Sequence, residues 1–165
     1  MRVCVVGCGA IGALFAAHLA AEAEVWAYDV SEEHVGAINR DGLRVDDTVA
    51  RIEARSDARE IPPCELGIVA TKAMHAESAI AATAHVFADG AVASVMNGVG
   101  NEEALARHVR RVIRGTTFPA GKLLEPGVVQ WDVKGDTTFG PFEPKPAPLQ
   151  EIGRASCRER VCSVV

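Results

Sequence analysis

The chain is 165 residues long, 48% hydrophobic and 24% charged, with a formal net charge of −5. That length can bury the core of one domain, and the acidic balance disfavours nucleic acid or an anionic membrane surface as partner, because phosphate groups need a basic face. No uninterrupted apolar stretch reaches the roughly 18 residues of a membrane-spanning helix, and five cysteines without a CxxC pair fit a reducing, cytoplasmic setting better than a disulfide framework or a zinc site.

Arg2–Val6 is short, apolar and valine-rich, and reads as a buried strand. The apolar run continues to Ala17 in the manner of an export signal, but Gly7, Gly9 and Gly12 break it at a spacing that has its own explanation. Ala10–Glu22 reads as a helix and Glu24–Tyr28 as a second strand. Ser31 can cap a helix running to about Arg40, which Asp41-Gly42 ends. Leu43–Val45 and Val49–Ala54 are short strand-like runs, and Ile61-Pro62-Pro63 is a break. Leu66–Ala70 is the next buried strand, followed by a helix from about His75 to Phe87. Asp89-Gly90 turns into a strand over Ala91–Met96, Asn101 is placed to cap a helix over Glu102–Val109, and Val112-Ile113 begins a further strand. Strands alternating with helices predict βαβ units and a mostly parallel sheet covered on both faces. The pattern then changes: Glu125-Pro126-Gly127 has the chemistry of a tight turn, and Phe118–Leu124 with Val128–Val133 predict an antiparallel hairpin around it. Gly140-Pro141 closes the segment.

The expected organisation is a domain over residues 1–143, a proline-rich stretch over 144–150 that begins a truncated remainder, and a non-native tail over 151–165. Glu151–Cys162 (EIGRASCRERVC) has no period of either kind and resembles a translated frame of a common DNA-sequencing adapter, so it is set aside from fold reasoning.

The chemistry concentrates in Gly7-Cys8-Gly9-Ala10-Ile11-Gly12, a GxGxxG run between a predicted strand and a predicted helix. Gly7 allows the turn off the strand, Gly9 lets the backbone approach a pyrophosphate, and Gly12 lets the helix pack closely. The helix N-terminus points unpaired N–H groups at the phosphates. Asp29 follows at the end of the second strand, where a carboxylate can accept from the adenosine ribose hydroxyls and would repel a 2′-phosphate; this favours NAD over NADP. Together these features predict a Rossmann-type, doubly wound α/β domain that binds a dinucleotide.

Two further residues fall at the carboxyl edge of the predicted sheet. Lys72 opens a helix against the dipole, which a nearby anionic ligand would offset, although a solvated lysine explains it equally well. Asn97-Gly98 is a strong hairpin signal, yet the helix after it argues for a crossover with the asparagine amide at the ligand edge. His18, His34, His75, His85 and His108 show no metal-ligand spacing, and no metal is expected.

GCGAIGALFAAHLA, ATKAMH, MNGVGNEE, RGTTFPAGKLLEPGVVQW and FGP, in that order, resemble the ketopantoate reductases (2-dehydropantoate 2-reductases) from Met1 to about Phe142. The resemblance implies an N-terminal Rossmann domain for NADPH and a C-terminal helical domain that completes the active site. It implies that Gly7 through Gly12 form the pyrophosphate loop, that Lys72 and Ala120 contact the cofactor, and that Asn97 lies on the nicotinamide and substrate side. Many members carry a basic residue near the position of Asp29, whereas this chain reads Tyr28-Asp29-Val30. The family's catalytic lysine belongs to the C-terminal domain, so no catalytic residue is expected in this chain. The expected function is the NADPH- or NADH-binding domain of a 2-oxo acid reductase, with 2-dehydropantoate as first substrate and pantothenate biosynthesis as setting; the oligomeric state stays open. The alternatives are a non-catalytic NAD-sensing module and another two-domain hydroxy acid dehydrogenase.

Overall fold

The structure, a computed structural model, describes residues 1–142 and the backbone of 162–164. The elements in chain order are β1 (Arg2–Val6), α1 (Ala10–Leu19), β2 (Glu24–Tyr28), α2 (Glu32–Asp41), β3 (Leu43–Val45), β4 (Thr48–Ala50), β5 (Glu53–Arg55), β6 (Leu66–Val69), α3 (Ala76–Thr83), β7 (Ala91–Ser94), α4 (Asn101–Ala106), β8 (Val112–Thr117), β9 (Ala120–Glu125), β10 (Val128–Val133), β11 (Thr137–Pro141) and β12 (Cys162–Val164).

The main sheet has eight strands in the order β12-β11-β8-β7-β6-β1-β2-β5. The six from β8 to β5 pair in parallel, and β11 joins β8 antiparallel. From β1 the chain winds first toward β5 and then, through β6, toward β8. This is the doubly wound order of a Rossmann sheet, with its reversal between β1 and β6. Alternation along β1 divides the core between the two faces of the sheet. Val3 and Val5 join a cluster with Ala13, Ala16 and Ile38, while Cys4 and Val6 join one with Ile80, Phe87 and Leu105.

The predicted hairpin forms, with β9 and β10 antiparallel around Pro126-Gly127. It does not extend the main sheet. It belongs to a second, four-stranded sheet in the order β4-β3-β10-β9, which contributes Leu43, Val45 and Val129 to the cluster on α1's side. Helix α1 is thus enclosed between two sheets, which accounts for its composition: AIGALFAAHL is apolar nearly all round, with no charged solvent face.

Four other expectations are corrected. Val49–Ala54 is not one strand: the chain leaves the second sheet after Ala50 and enters the main sheet at Glu53. The helix expected over His75–Phe87 is α-helical only over Ala76–Thr83, flanked by 3₁₀ turns. Asn101 is not a cap: Gly100, in the left-handed region, precedes α4, and Asn101 is its first residue. Thr137–Pro141 is a strand rather than a mere closing turn, and its proline lies at the strand's end, where a missing N–H is tolerated. Ser31 caps α2 as expected, accepting from His34 N at 3.3 Å. Of the tail set aside from fold reasoning, the structure describes the backbone of 162–164, as β12 paired antiparallel with β11; 143–161 and 165 lie outside the described residues. Among the described residues no helix is long and apolar enough to cross a membrane.

Candidate functional site

Strands β1, β2, β6, β7 and β8 end on one edge of the main sheet, and residues at or just past those ends line an open cleft of about 860 Å³. The cleft lies where the strand order reverses, the place at which open α/β sheets bind ligands.

The glycine-rich loop forms one wall. Gly7 takes φ +86°, and a Cβ there would lie 2.6 Å from Thr71 Cγ2, so both backbone and space require glycine. A Cβ on Gly12 would lie 2.0 Å from the Gly7 carbonyl oxygen, so α1 packs as tightly on β1 as a side-chain-free residue permits. A Cβ on Gly9 would meet nothing within 4 Å: that side of the loop is open. Gly9, Ala10 and Ile11 line the cleft, and α1 begins at Ala10, so its first-turn N–H groups and partial positive charge lie at the cleft wall.

Cys8 is placed differently. It does not line the cleft, its side chain is fully buried, and burial followed by the charge of Asp29 pushes its thiol up to about 12. Its backbone N–H donates to Asp29 Oδ2 at 2.9 Å, and its carbonyl accepts from His34 Nε2 at 2.8 Å.

Asp29 lines the cleft at the end of β2, yet both its oxygens already serve the backbone. Oδ1 accepts from Ser31 N at 3.0 Å while Oδ2 holds Cys8. The carboxylate therefore ties the glycine loop to the β2–α2 turn, and each oxygen keeps a further lone pair for a ligand hydroxyl. Beside it, a smaller pocket of about 460 Å³ shares Tyr28 and Val30 with the cleft and is bordered by Arg59, which is paired with Asp57 at 2.5 Å.

Lys72, in the loop after β6, lines the cleft, is exposed and has no ion-pair partner among the described residues. Asn97 lines the same cleft after β7, and the β7–α4–β8 crossover resolves Asn97-Gly98 as a loop rather than a hairpin. The Asn101 amide donates to the Asn97 carbonyl at 3.1 Å and braces that loop. Ala120 is exposed as the first residue of β9 but does not line the cleft; Thr117 and Pro119 do.

The sequence reading placed Thr71 with Lys72 at the carboxyl edge but passed over Met96, Thr117 and Pro119, all cleft residues. Met96 and Thr117 lie within two residues of a strand's carboxyl end, a rule that would have found them too. His34 carried no such signal, because its partners are 26 and 93 residues away. Among the described residues no group of His, Cys, Asp and Glu is placed to hold a metal ion.

A glycine loop at a helix N-terminus, a carboxylate at the second strand's end and a cation in the same cleft define a dinucleotide-binding domain of the Rossmann type. The family described as Ketopantoate reductase PanE/ApbA matches residues 3–144, and the chain belongs to this family of NAD(P)-dependent oxidoreductases. It is 33% identical over 143 residues to the 2-dehydropantoate 2-reductase of Pyrococcus abyssi (strain GE5 / Orsay), covering 85% of this chain and 47% of that protein. Among solved structures it is similar to a PanE/ApbA family ketopantoate reductase from Ralstonia eutropha JMP134, with a TM-score of 0.79 and 28% identity over 84% of this chain and 49% of that one. It is also similar to D-mandelate dehydrogenase in a ternary structure with NADH and anilino(oxo)acetate, with a TM-score of 0.74 and 26% identity over 84% of this chain and 47% of that one. The chain spans about half the length of the curated relatives it matches.

Proposed function

We propose that the cleft holds NAD(P)H and that the whole enzyme reduces the ketone of a 2-oxo acid, with 2-dehydropantoate the first candidate. The observation that carries this reading is the open face of Gly9 beside the N-terminus of α1, with Lys72 as a cation lining the same cleft. In this reading the backbone of Gly9, Ala10 and Ile11 holds the pyrophosphate and Lys72 neutralises part of its charge. Asp29 accepts from the adenosine ribose and favours NADH. Asn97 orients the nicotinamide ribose or the substrate carbonyl, and Thr117 and Pro119 of the cleft wall flank the bound cofactor in place of Ala120. The reduced nicotinamide, when bound, supplies the hydride. Proton donation and recognition of the substrate carboxylate are assigned to the part of the protein beyond this chain, so this half contributes position rather than chemistry. A sensing module would share the glycine loop and Asp29 but would have no use for Lys72 and Asn97 at the same cleft.

The test is titration of the chain with NADH and NADPH, followed by an assay of 2-dehydropantoate reduction. Saturable binding of at least one cofactor without turnover is the expected result. Failure to bind either removes the cofactor reading, and turnover by this chain alone would show that it holds the catalytic groups after all.

A further inference from the structure

We propose that His34 is a positioning residue for the glycine-rich loop: by holding the Cys8 carbonyl it turns the Gly9 N–H toward the cleft. This rests on the cofactor reading of the cleft.

His34 lies in the first turn of α2 and is 3% exposed, enclosed between three separate parts of the chain. Its Nδ1 accepts from Gly127 N at 2.9 Å. A backbone N–H can only donate, so the ring proton resides on Nε2, which donates to the Cys8 carbonyl at 2.8 Å. The neutral imidazole thus satisfies one donor and one acceptor of the backbone with its two nitrogens, and the partners fix its tautomer.

The consequence follows from peptide geometry. The described backbone contains no cis peptide bond. In a trans peptide the C=O and the following N–H point in opposite directions. Anchoring the Cys8 carbonyl to a side chain buried behind the loop therefore aims the Gly9 N–H the other way, to the side where Gly9 lines the cleft and where a Cβ would meet nothing. The Cys8 N–H is held in turn by Asp29. With both backbone groups of Cys8 engaged, the loop has its shape before a ligand arrives, and binding does not have to order it. Through Gly127, at the tip of the β9–β10 hairpin, the same ring ties the loop to the second sheet.

Two substitutions separate the ring's two bonds. In His34→Gln the amide nitrogen takes the place of Nε2 and keeps the bond to the Cys8 carbonyl, while the bond to Gly127 is lost. In His34→Asn the amide oxygen takes the place of Nδ1 and keeps Gly127, while the loop bond is lost. Both should melt at lower temperature, by similar amounts. Cofactor affinity should fall about ten-fold in H34N, the effect of one buried hydrogen bond, and stay within about two-fold in H34Q. Without any ligand, the Cys8 and Gly9 amide resonances should move in H34N and hold in H34Q. Affinity that follows melting temperature in both variants, or amide resonances that hold in H34N, overturns the positioning role and leaves a structural histidine. Absence of binding by the unmodified chain overturns instead the cofactor reading of the cleft, and the amide resonances still report whether His34 sets the loop.

Discussion

Replacing Gly12 by alanine should abolish cofactor binding and lower the melting temperature of the chain by roughly 6–12 °C. The added Cβ would stand 2.0 Å from the Gly7 carbonyl oxygen and 3.1 Å from Val5 Cγ1. Carbon contacts are comfortable at about 3.5–4.0 Å, and the first obstacle here is backbone rather than the end of a flexible side chain. Helix α1 must move off β1 by more than about an ångström, which opens the packing of Ala13 and Ala16 in the core. Overpacking of this kind costs about 1–3 kcal/mol, and a backbone obstacle places it at the upper end. The same movement carries the helix N-terminus away from the phosphates. Gly9→Ala is the matched control: its Cβ has free space in the protein, so it should melt like the unmodified chain while weakening cofactor binding by intruding where the pyrophosphate is proposed to lie. Thermal melts followed by circular dichroism, with cofactor titrations beside them, read both effects. A Gly12→Ala chain with an unchanged melting point would show that the helix is not pinned by this contact.

If Asp29 sets cofactor choice, the unmodified chain should bind NADH about ten- to hundred-fold more tightly than NADPH. For NADH the carboxylate gains charged hydrogen bonds from the ribose. For NADPH it faces a phosphate carrying up to two negative charges in a cleft where screening is incomplete. The structure changes which variant tests this. Because Asp29 also holds Cys8 N and Ser31 N, Asp29→Ala would free the glycine loop and weaken both cofactors together. Asp29→Asn removes the charge but keeps one acceptor oxygen of two, so it holds one backbone tether and sets its amide nitrogen against the other N–H. The readout is therefore the ratio of the two affinities, which should fall to within a few-fold, whereas a loosened loop lowers both alike. Equal or tighter binding of NADPH by the unmodified chain would show that a cation outweighs Asp29, and Arg59, bordering the adjoining pocket, is the residue to substitute next.

Local pattern alone determined most of the elements and the heart of the site. Valine-rich runs gave the parallel strands, Ser31 gave a helix start, Pro126-Gly127 gave a hairpin, and the three glycines marked the ligand edge. These are properties of residues close in sequence, where period, capping and turn chemistry act directly. The tertiary structure decided what each element packs against. The hairpin, read correctly as a hairpin, lies in a second sheet because α1 has no polar face and needs an apolar cover on both sides. Val49–Ala54 divides between two sheets because its two ends find partners in different layers. Asp29, read as a ligand residue, proves also to be a loop tether, and His34, read as one of several unremarked histidines, proves to bridge Cys8 and Gly127. A hydrogen bond forms with whatever donor or acceptor the fold brings within about 3 Å, and with partners 21, 26 and 93 residues away nothing in the local sequence of either residue could name them.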